Sequence, residues 1–340
     1  MWLERTRNGV SDGGTGVHDA LKPRIVCFGE AMLRLSTHSG VSLEQGSPLH
    51  MFVAGAESNV AVALSRAGTP AAWMSALPDN PLGRFALNTL RSAGVDVSRV
   101  VLRDGRIGIY FTELAVRPRG TEVVYDREYS AFASTNPDDF DWESLNSIEY
   151  LHVSGITPAL KPNGGALFER AMLEAGKRNV KVSFDLNFRT YLWAPKAARR
   201  YLEGLPLSPD VAIASERDVD LIWPQQSELS PDRKAGVISE ILGSRVTVFT
   251  RGARGAGCRL EDKWIEVPSY EAEALDPIGR GDAFAGGFLS RLIADDPIRD
   301  ALDFGCASAA IAQTYLGDVS MATYEIVRRV MQGEIFHIRR

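Results

Sequence analysis

Short apolar runs alternate with longer amphipathic stretches along most of the chain. Residues 24–29 read Arg-Ile-Val-Cys-Phe-Gly, an apolar run closed by glycine, and predict a first buried strand. Residues 54–64 open on a glycine turn and continue rich in alanine, which predicts a helix. Residues 71–77 predict a strand and 81–92 a helix; Pro81 suits a first helical turn and Gly94 a stop. Residues 107–114 and 121–127 alternate around the turn Arg117-Pro118-Arg119-Gly120, a hairpin pattern. Such a hairpin alone is marginal in water, so residues 33–35 and 51–53 are expected to widen it into a small sheet. Beyond it, strands over 150–154, 180–187, 211–215 and 245–250 interleave with helices over 164–177 and 195–201. A helix over 283–294 places Phe284, Phe288, Leu289 and Leu292 on one face, and an alanine-rich helix spans 301–315. Fully apolar strands between helices indicate an α/β fold with a mostly parallel sheet covered on both faces. Polar residues ending such strands lie at the sheet's C-terminal edge, where these folds bind ligands.

Composition narrows the reading. The 340 residues are 45% hydrophobic, enough for one large core, and the net charge of −5 argues against a nucleic-acid partner. No apolar run approaches a bilayer span, and the first twenty residues lack the apolar centre of a secretory signal. Residues 1–21 are expected to be a flexible extension or a misassigned start, and 22–340 the folded domain. Cys27, Cys258 and Cys306 are isolated in apolar patterns, as buried thiols of a cytoplasmic protein are. The five histidines show no metal-ligand spacing. The chain has no internal repeat, no G-x(4)-G-K-[ST], and no G-x-G-x-x-G after its first strand, so P-loop and dinucleotide-binding readings fail.

The densest candidate chemistry lies at 276–288, Asp-Pro-Ile-Gly-Arg-Gly-Asp-Ala-Phe-Ala-Gly-Gly-Phe, a glycine-containing loop running into a helix. Free amides of a helix's first turn, with the helix dipole behind them, make an anion site. Two readings of Asp282 stand: a helix cap, or a base that takes a proton from a hydroxyl while the amides hold a transferring phosphoryl group.

This stretch resembles the second signature of the PfkB/ribokinase family of sugar kinases, usually D-T-x-G-A-G-D-x-F. The chain keeps Asp276, Gly279, Gly281, Asp282 and Phe284, and has Pro277-Ile278 and Arg280 at the other places. The resemblance runs from about residue 24 to residue 330 and is greatest to the 2-keto-3-deoxygluconate kinases of that family. It implies a ribokinase-like fold with a small β lid, built from about 31–53 and 107–127, over the sugar. It also implies phosphoryl transfer from ATP with Mg²⁺, a monovalent cation such as K⁺ as an option, and a homodimer through the lid. Asp282 becomes the base, with the backbone amides of Gly279, Arg280 and Gly281 as the anion hole. The glycine turn at 54–59 is similar to the family's G-G-x-x-x-N-x-A, with Ala54 in the first place. Gly55 and Asn59 then contact substrate, although Asn59 alone reads equally as a helix-surface residue. Tyr110 on the first hairpin strand, with Tyr125 and Arg127 on the second, reaches the sugar acid; a cross-strand aromatic and charge pair is the plainer alternative. Arg34 stands where neutral-sugar kinases carry an acid; on its own it reads equally as an exposed strand residue. Asp185-Leu186-Asn187-Phe188-Arg189 resembles D-x-N-x-R, and Arg189 offers a planar fork to a carboxylate or phosphate.

Ser215 to Asp218 sits where the family has N-x-x-E, so Ser215 falls to the nucleotide and Asp218 to the metal through water. Thr250, Arg251, Gly252 and Gly255 match T-x-G-x-x-G, which lies along the nucleotide phosphates; an exposed loop residue is the alternative for Arg251. The alanine-rich helix, with Ser308, makes one wall of the adenine site. Two rivals remain: the same chemistry on a neutral sugar, such as fructose or a ribonucleoside, and a silent sugar-binding protein favoured by Ala54, Ser215 and Asp218.

Overall fold

The computed structural model describes residues 22–114 and 118–334. The expected extension over 1–21 and the start of the 117–120 turn lie outside the described residues. In chain order come β1 (Ile25–Phe28), β2 (Met32–Ser36), β3 (His50–Ala54), α1 (Ala56–Arg66), β4 (Ala71–Pro78), α2 (Pro81–Ser92), β5 (Asp96–Arg103), β6 (Gly108–Glu113) and β7 (Glu122–Asp126). Then follow β8 (Tyr150–Ser154), α3 (Gly164–Lys177), β9 (Lys181–Asp185), α4 (Pro195–Leu202), β10 (Val211–Ser215), α5 (Glu216–Ile222), α6 (Pro231–Leu242) and β11 (Val246–Thr250). The chain continues with β12 (Ala256–Leu260), β13 (Lys263–Val267), α7 (Arg280–Ile293), α8 (Ile298–Ala312) and α9 (Tyr324–Met331).

Nine strands form one sheet in the order β13-β12-β11-β10-β9-β8-β1-β4-β5. All its pairs are parallel except β11 with β12 and β12 with β13. Alternation along β1 shows why the strands are apolar throughout. Val26 and Phe28 join a core with α3, α4 and α6, whereas Ile25 and Cys27 join a second core with α1, α7 and α8. The large sheet is thus covered on both faces, as the sequence predicts. Helix starts follow the expected chemistry: the Asn80 side chain accepts from the amides of Leu82 and Gly83 at 3.0 Å, and Pro81 takes the first helical place in α2.

The hairpin β6–β7 is widened by β2 and β3 into a four-stranded sheet, order β3-β2-β6-β7. This sheet stands over the C-terminal ends of β9, β10 and β11, and the space between the two sheets is the site described below.

Several elements depart from the sequence expectation. Helix α7 begins at Arg280, three residues before the expected 283, because Gly279 (φ 81°, ψ −6°) caps it in a left-handed conformation. The alanine-rich helix α8 is displaced toward the N-terminus, Ile298 to Ala312 in place of 301–315. Strand β9 stops at Asp185, and Asn187, with φ 38°, turns the chain aside. Strands β5, β12 and β13 and helices α5, α6 and α9 have no counterpart in the sequence prediction.

Candidate active site

A cleft of about 1370 Å³ lies between the small sheet and the ends of the large one. Its floor is the start of α7. Gly279 cannot be replaced without strain: besides its positive φ, a Cβ there would stand 2.2 Å from the carbonyl oxygen of Asp318. The first helical hydrogen bond of α7 runs from Ala283 N to Gly279 O at 2.9 Å. The amides of Arg280, Gly281 and Asp282 therefore precede the ladder and face the cleft at the positive end of a helix of 14 residues. A Cβ on Gly281 would meet nothing within 4 Å, so this glycine leaves open space above the amides.

Asp282 is the third residue of α7, not its cap. Its Oδ2 accepts a hydrogen bond from Asn59 Nδ2 at 2.7 Å, and only 9% of the residue is exposed. Burial pushes its carboxyl up to about 7; the Asn59 bond and the Arg189 charge oppose that rise, while Glu57 and Asp318 add to it. A carboxyl tuned this way is about half ionised at neutral pH, and its ionised form is basic enough to take a hydroxyl proton. Asn59 is a buried residue of α1, and its Oδ1 has no partner among the described residues. Gly55, just before α1, approaches the connection between β1 and β2 closely: a Cβ would stand 2.4 Å from Glu30 O.

The sequence did not single out Asp185, though it heads the D-x-N-x-R run. It lines the cleft at the end of β9, where its Oδ1 accepts from Asn187 N at 3.1 Å. Burial, then the neighbouring Asp282 charge, raises its carboxyl to about 8. The signal was available: an acid ending a buried strand at the C-terminal edge of a parallel sheet.

The positive groups sort differently from the sequence expectation. Arg189 is exposed in the cleft and forms no ion pair among the described residues. Arg127 also lines the cleft, but its Nε donates to Glu30 Oε2 at 3.0 Å and Nη2 donates to the same oxygen, so its charge is already matched. Arg34 does not reach the cleft and is not exposed. Its side chain is wholly buried between Asp276 and Asp318, which overturns both sequence readings of it. Arg251 lines the cleft and pairs with Glu266 at 2.7 Å and Glu216 at 3.5 Å, so it is not an exposed loop residue. Glu216 also takes Arg254 at 2.7 Å.

Tyr110 and Tyr125 line the cleft with ring centroids 5.5 Å apart, and the Tyr110 hydroxyl donates to Asp318 Oδ1. Ser215 caps α5, its Oγ accepting from Asp218 N at 3.0 Å; both residues line the cleft. Thr250, Gly252 and Gly255 line the same end. Ser308 does not. Its Oγ donates to Phe304 O at 2.8 Å and it packs against Gly287, because it lies on the α7 side of α8. The cleft face of α8 is instead Cys306, Ala309, Ala310 and Gln313, a stripe at helical spacing.

Among the described residues no helix is long and apolar enough to cross a membrane, and no three His, Cys, Asp or Glu side chains gather for a metal ion. The pattern of the pfkB family carbohydrate kinases matches residues 22–323. The chain belongs to that family. The kinase is 40% identical over 312 residues to a 2-dehydro-3-deoxygalactonokinase of Haloferax volcanii, covering 91% of this chain and 96% of the other. It is 31% identical over 303 residues to a 2-dehydro-3-deoxygluconokinase of Thermoproteus tenax, covering 86% and 89%. The crystal structure of a 2-dehydro-3-deoxygluconokinase from Thermotoga maritima superposes with a TM-score of 0.85 at 29% identity, covering 92% of the kinase and all of that chain. The fold of the kinase is therefore ribokinase-like.

Proposed function

We propose that the kinase transfers the γ-phosphoryl group of ATP to the terminal hydroxyl of a six-carbon 2-keto-3-deoxy sugar acid, 2-keto-3-deoxygluconate first. The observation that carries this reading is the buried Asp282 carboxylate beside three free amides at one helix start. Asp282 takes the hydroxyl proton, and Asn59 holds its carboxylate in place. The amides of Arg280, Gly281 and Asp282, with that of the capping Gly279, receive the charge of the transferring group, which needs positioning and neutralisation more than covalent help. Arg189, a cleft guanidinium with no ion pair among the described residues, takes the substrate carboxylate, and Tyr110, Tyr125 and Gly55 shape the sugar pocket with the neutral Arg127–Glu30 pair. Names of relatives support both C4 epimers, the galactonate and gluconate forms.

ATP occupies the other end of the cleft, between the Thr250–Gly255 turn and the apolar stripe of α8. Two carboxylates face that space, Asp185 and Asp218. This fits Mg²⁺, which keeps several waters and takes few protein carboxylates beside phosphate oxygens. Bound there, the ion neutralises charge on the phosphates. The small sheet acts as the lid that keeps water from the phosphoryl group.

The lid also supports a homodimer. Met51, Leu35, Phe111 and Val124 are cross-strand neighbours on one sheet face, and Met51 and Val124 are 42% and 53% exposed. A second copy, related by a two-fold axis, would cover that row with the same row. Location in the cytoplasm agrees with ATP as cofactor and with three free cysteines.

A coupled assay of ADP release across sugar acids and neutral sugars tests the substrate class. Turnover is expected with the two 2-keto-3-deoxy epimers, at least about tenfold above fructose or ribose in kcat/KM. Equal or better turnover of a neutral sugar would make Arg189 a bystander and the sugar-acid reading wrong.

A further inference from the structure

Beneath the anion-hole turn lies a buried charge that phosphoryl transfer, as set out above, does not use. Arg34, in β2, donates from Nε to Ser36 Oγ at 2.6 Å and from Nη1 to Asp318 Oδ2 at 3.0 Å. Its Nη2 lies 2.7 Å from Asp276 Oδ2, and Phe52 covers the guanidinium at 5.5 Å. The two carboxylates belong to different segments. Asp276 opens the turn into α7: its Oδ1 accepts from Ile278 N at 3.2 Å and its Oδ2 from Gly317 N at 3.1 Å. Asp318 follows α8, presses its carbonyl against Gly279, and accepts the Tyr110 hydroxyl. Tyr110 in turn is the direct cross-strand neighbour of Arg34.

One guanidinium thus joins the lid strands, the anion-hole turn and the segment that supports Gly279. Without it, two carboxylates, both almost fully buried, would face each other uncompensated. Only arginine does this: it stays charged, and its planar fork spans two acids where a lysine reaches one.

We propose that Arg34 is a positioning residue for the phosphoryl transfer, holding the turn 276–279 and the lid strands in one register so that the amides of α7 are aimed at the reacting group. It touches neither substrate nor cofactor. The inference rests on the phosphoryl-transfer reading but not on the identity of the sugar. Every variant is therefore compared with the wild-type kinase on whichever sugar the wild type phosphorylates.

The test is steady-state kinetics of Arg34→Lys and Arg34→Ala, with folding followed by circular dichroism. In Arg34→Lys, kcat falls at least about tenfold while KM for the sugar stays within about threefold, as misplacement of a pre-built site demands. In Arg34→Ala, kcat falls about a hundredfold. Millimolar guanidinium then fills the vacated site and restores kcat saturably, whereas urea, of the same shape but neutral, does not. Wild-type kcat in Arg34→Lys, a loss confined to KM, or a folded Arg34→Ala that guanidinium leaves unchanged would overturn the proposal. If Arg34→Ala does not fold, the kcat and KM of Arg34→Lys decide it alone.

Discussion

At the scale of single residues, burial sets the chemistry. Asp282 has a raised carboxyl because the fold strips it of water, so the fold carries a cost for keeping its charge. Its unfolded value lies near 3.8 and its folded value near 7. The cost is full above the folded value, shrinks as pH falls between the two, and is gone below the unfolded one. Asp282→Asn should therefore raise Tm by a few degrees at pH 8, with the gain vanishing near pH 3.5, as thermal melts at the two pH values would show. Arg189 lowers the Asp282 carboxyl, so Arg189→Ala should move the acid limb of the kcat/KM profile to higher pH. It should also weaken a sugar acid by about 1.5–3 kcal/mol, the worth of a hydrogen bond to a charge, and spare neutral sugars. Arg127→Ala, by contrast, strips the buried Glu30 of its partner and should reduce stability and all substrates alike. The residues of the motif were readable because glycines and an acid at fixed spacing have few uses. The role of Arg34 was not, since a strand arginine reads alike whether its partners are solvent, a ligand, or acids that arrive more than 240 residues later.

At the scale of elements, the start of α7 governs the site. Gly279 is locked by its positive φ and by the carbonyl of Asp318, whereas Gly281 faces open space. Gly279→Ala should therefore cost both stability and kcat, while Gly281→Ala should keep the melting temperature and chiefly raise the ATP KM by crowding the phosphates. Unfolding curves together with kinetics separate the two outcomes. Elements with clean patterns were legible closely: α2, β8 and β10 to the residue, and β1, β4 and β11 to within one residue at an end. The missed strands share a physical cause. Strand β5 lies at the sheet edge and is largely half-exposed, and β12 and β13 mix Arg259, Lys263 and Glu266 among apolar residues, so no clear period of two survives. The resemblance puts Ser308 with the adenine wall, but the sequence does not say which stripe of the helix faces which neighbour; α8 turns that serine to α7.

At the scale of the molecule, two sheets meet over one cleft, and the smaller one has a face to account for. The row Met51, Leu35, Phe111 and Val124 predicts self-association, because an apolar row half-buried at its centre and exposed at Met51 and Val124 is unfavourable in water. Sedimentation velocity at micromolar concentration should give about twice the 37.1 kDa chain mass, and Val124→Glu should return it to one chain. A monomer with full activity would remove the dimer. The central six strands of the large sheet, β1, β4 and β8 to β11, were legible from apolar runs, and the small sheet from the marginal stability of a lone hairpin. The pairing of lid strands with a buried arginine was not, since it depends on tertiary contacts no local pattern records.

The central claim is that Asp282, beside the free amides of α7, drives phosphoryl transfer from ATP to a sugar acid. It is tested most directly by ³¹P NMR of ATP, Mg²⁺ and 2-keto-3-deoxygluconate or its C4 epimer with the wild-type kinase and with folded Asp282→Asn. The wild type should convert ATP to ADP with an equal amount of a new phosphomonoester, and Asp282→Asn should do so about 10²–10⁴-fold more slowly. No phosphomonoester from either acid with the wild type, or an undiminished rate in Asp282→Asn, would contradict the account.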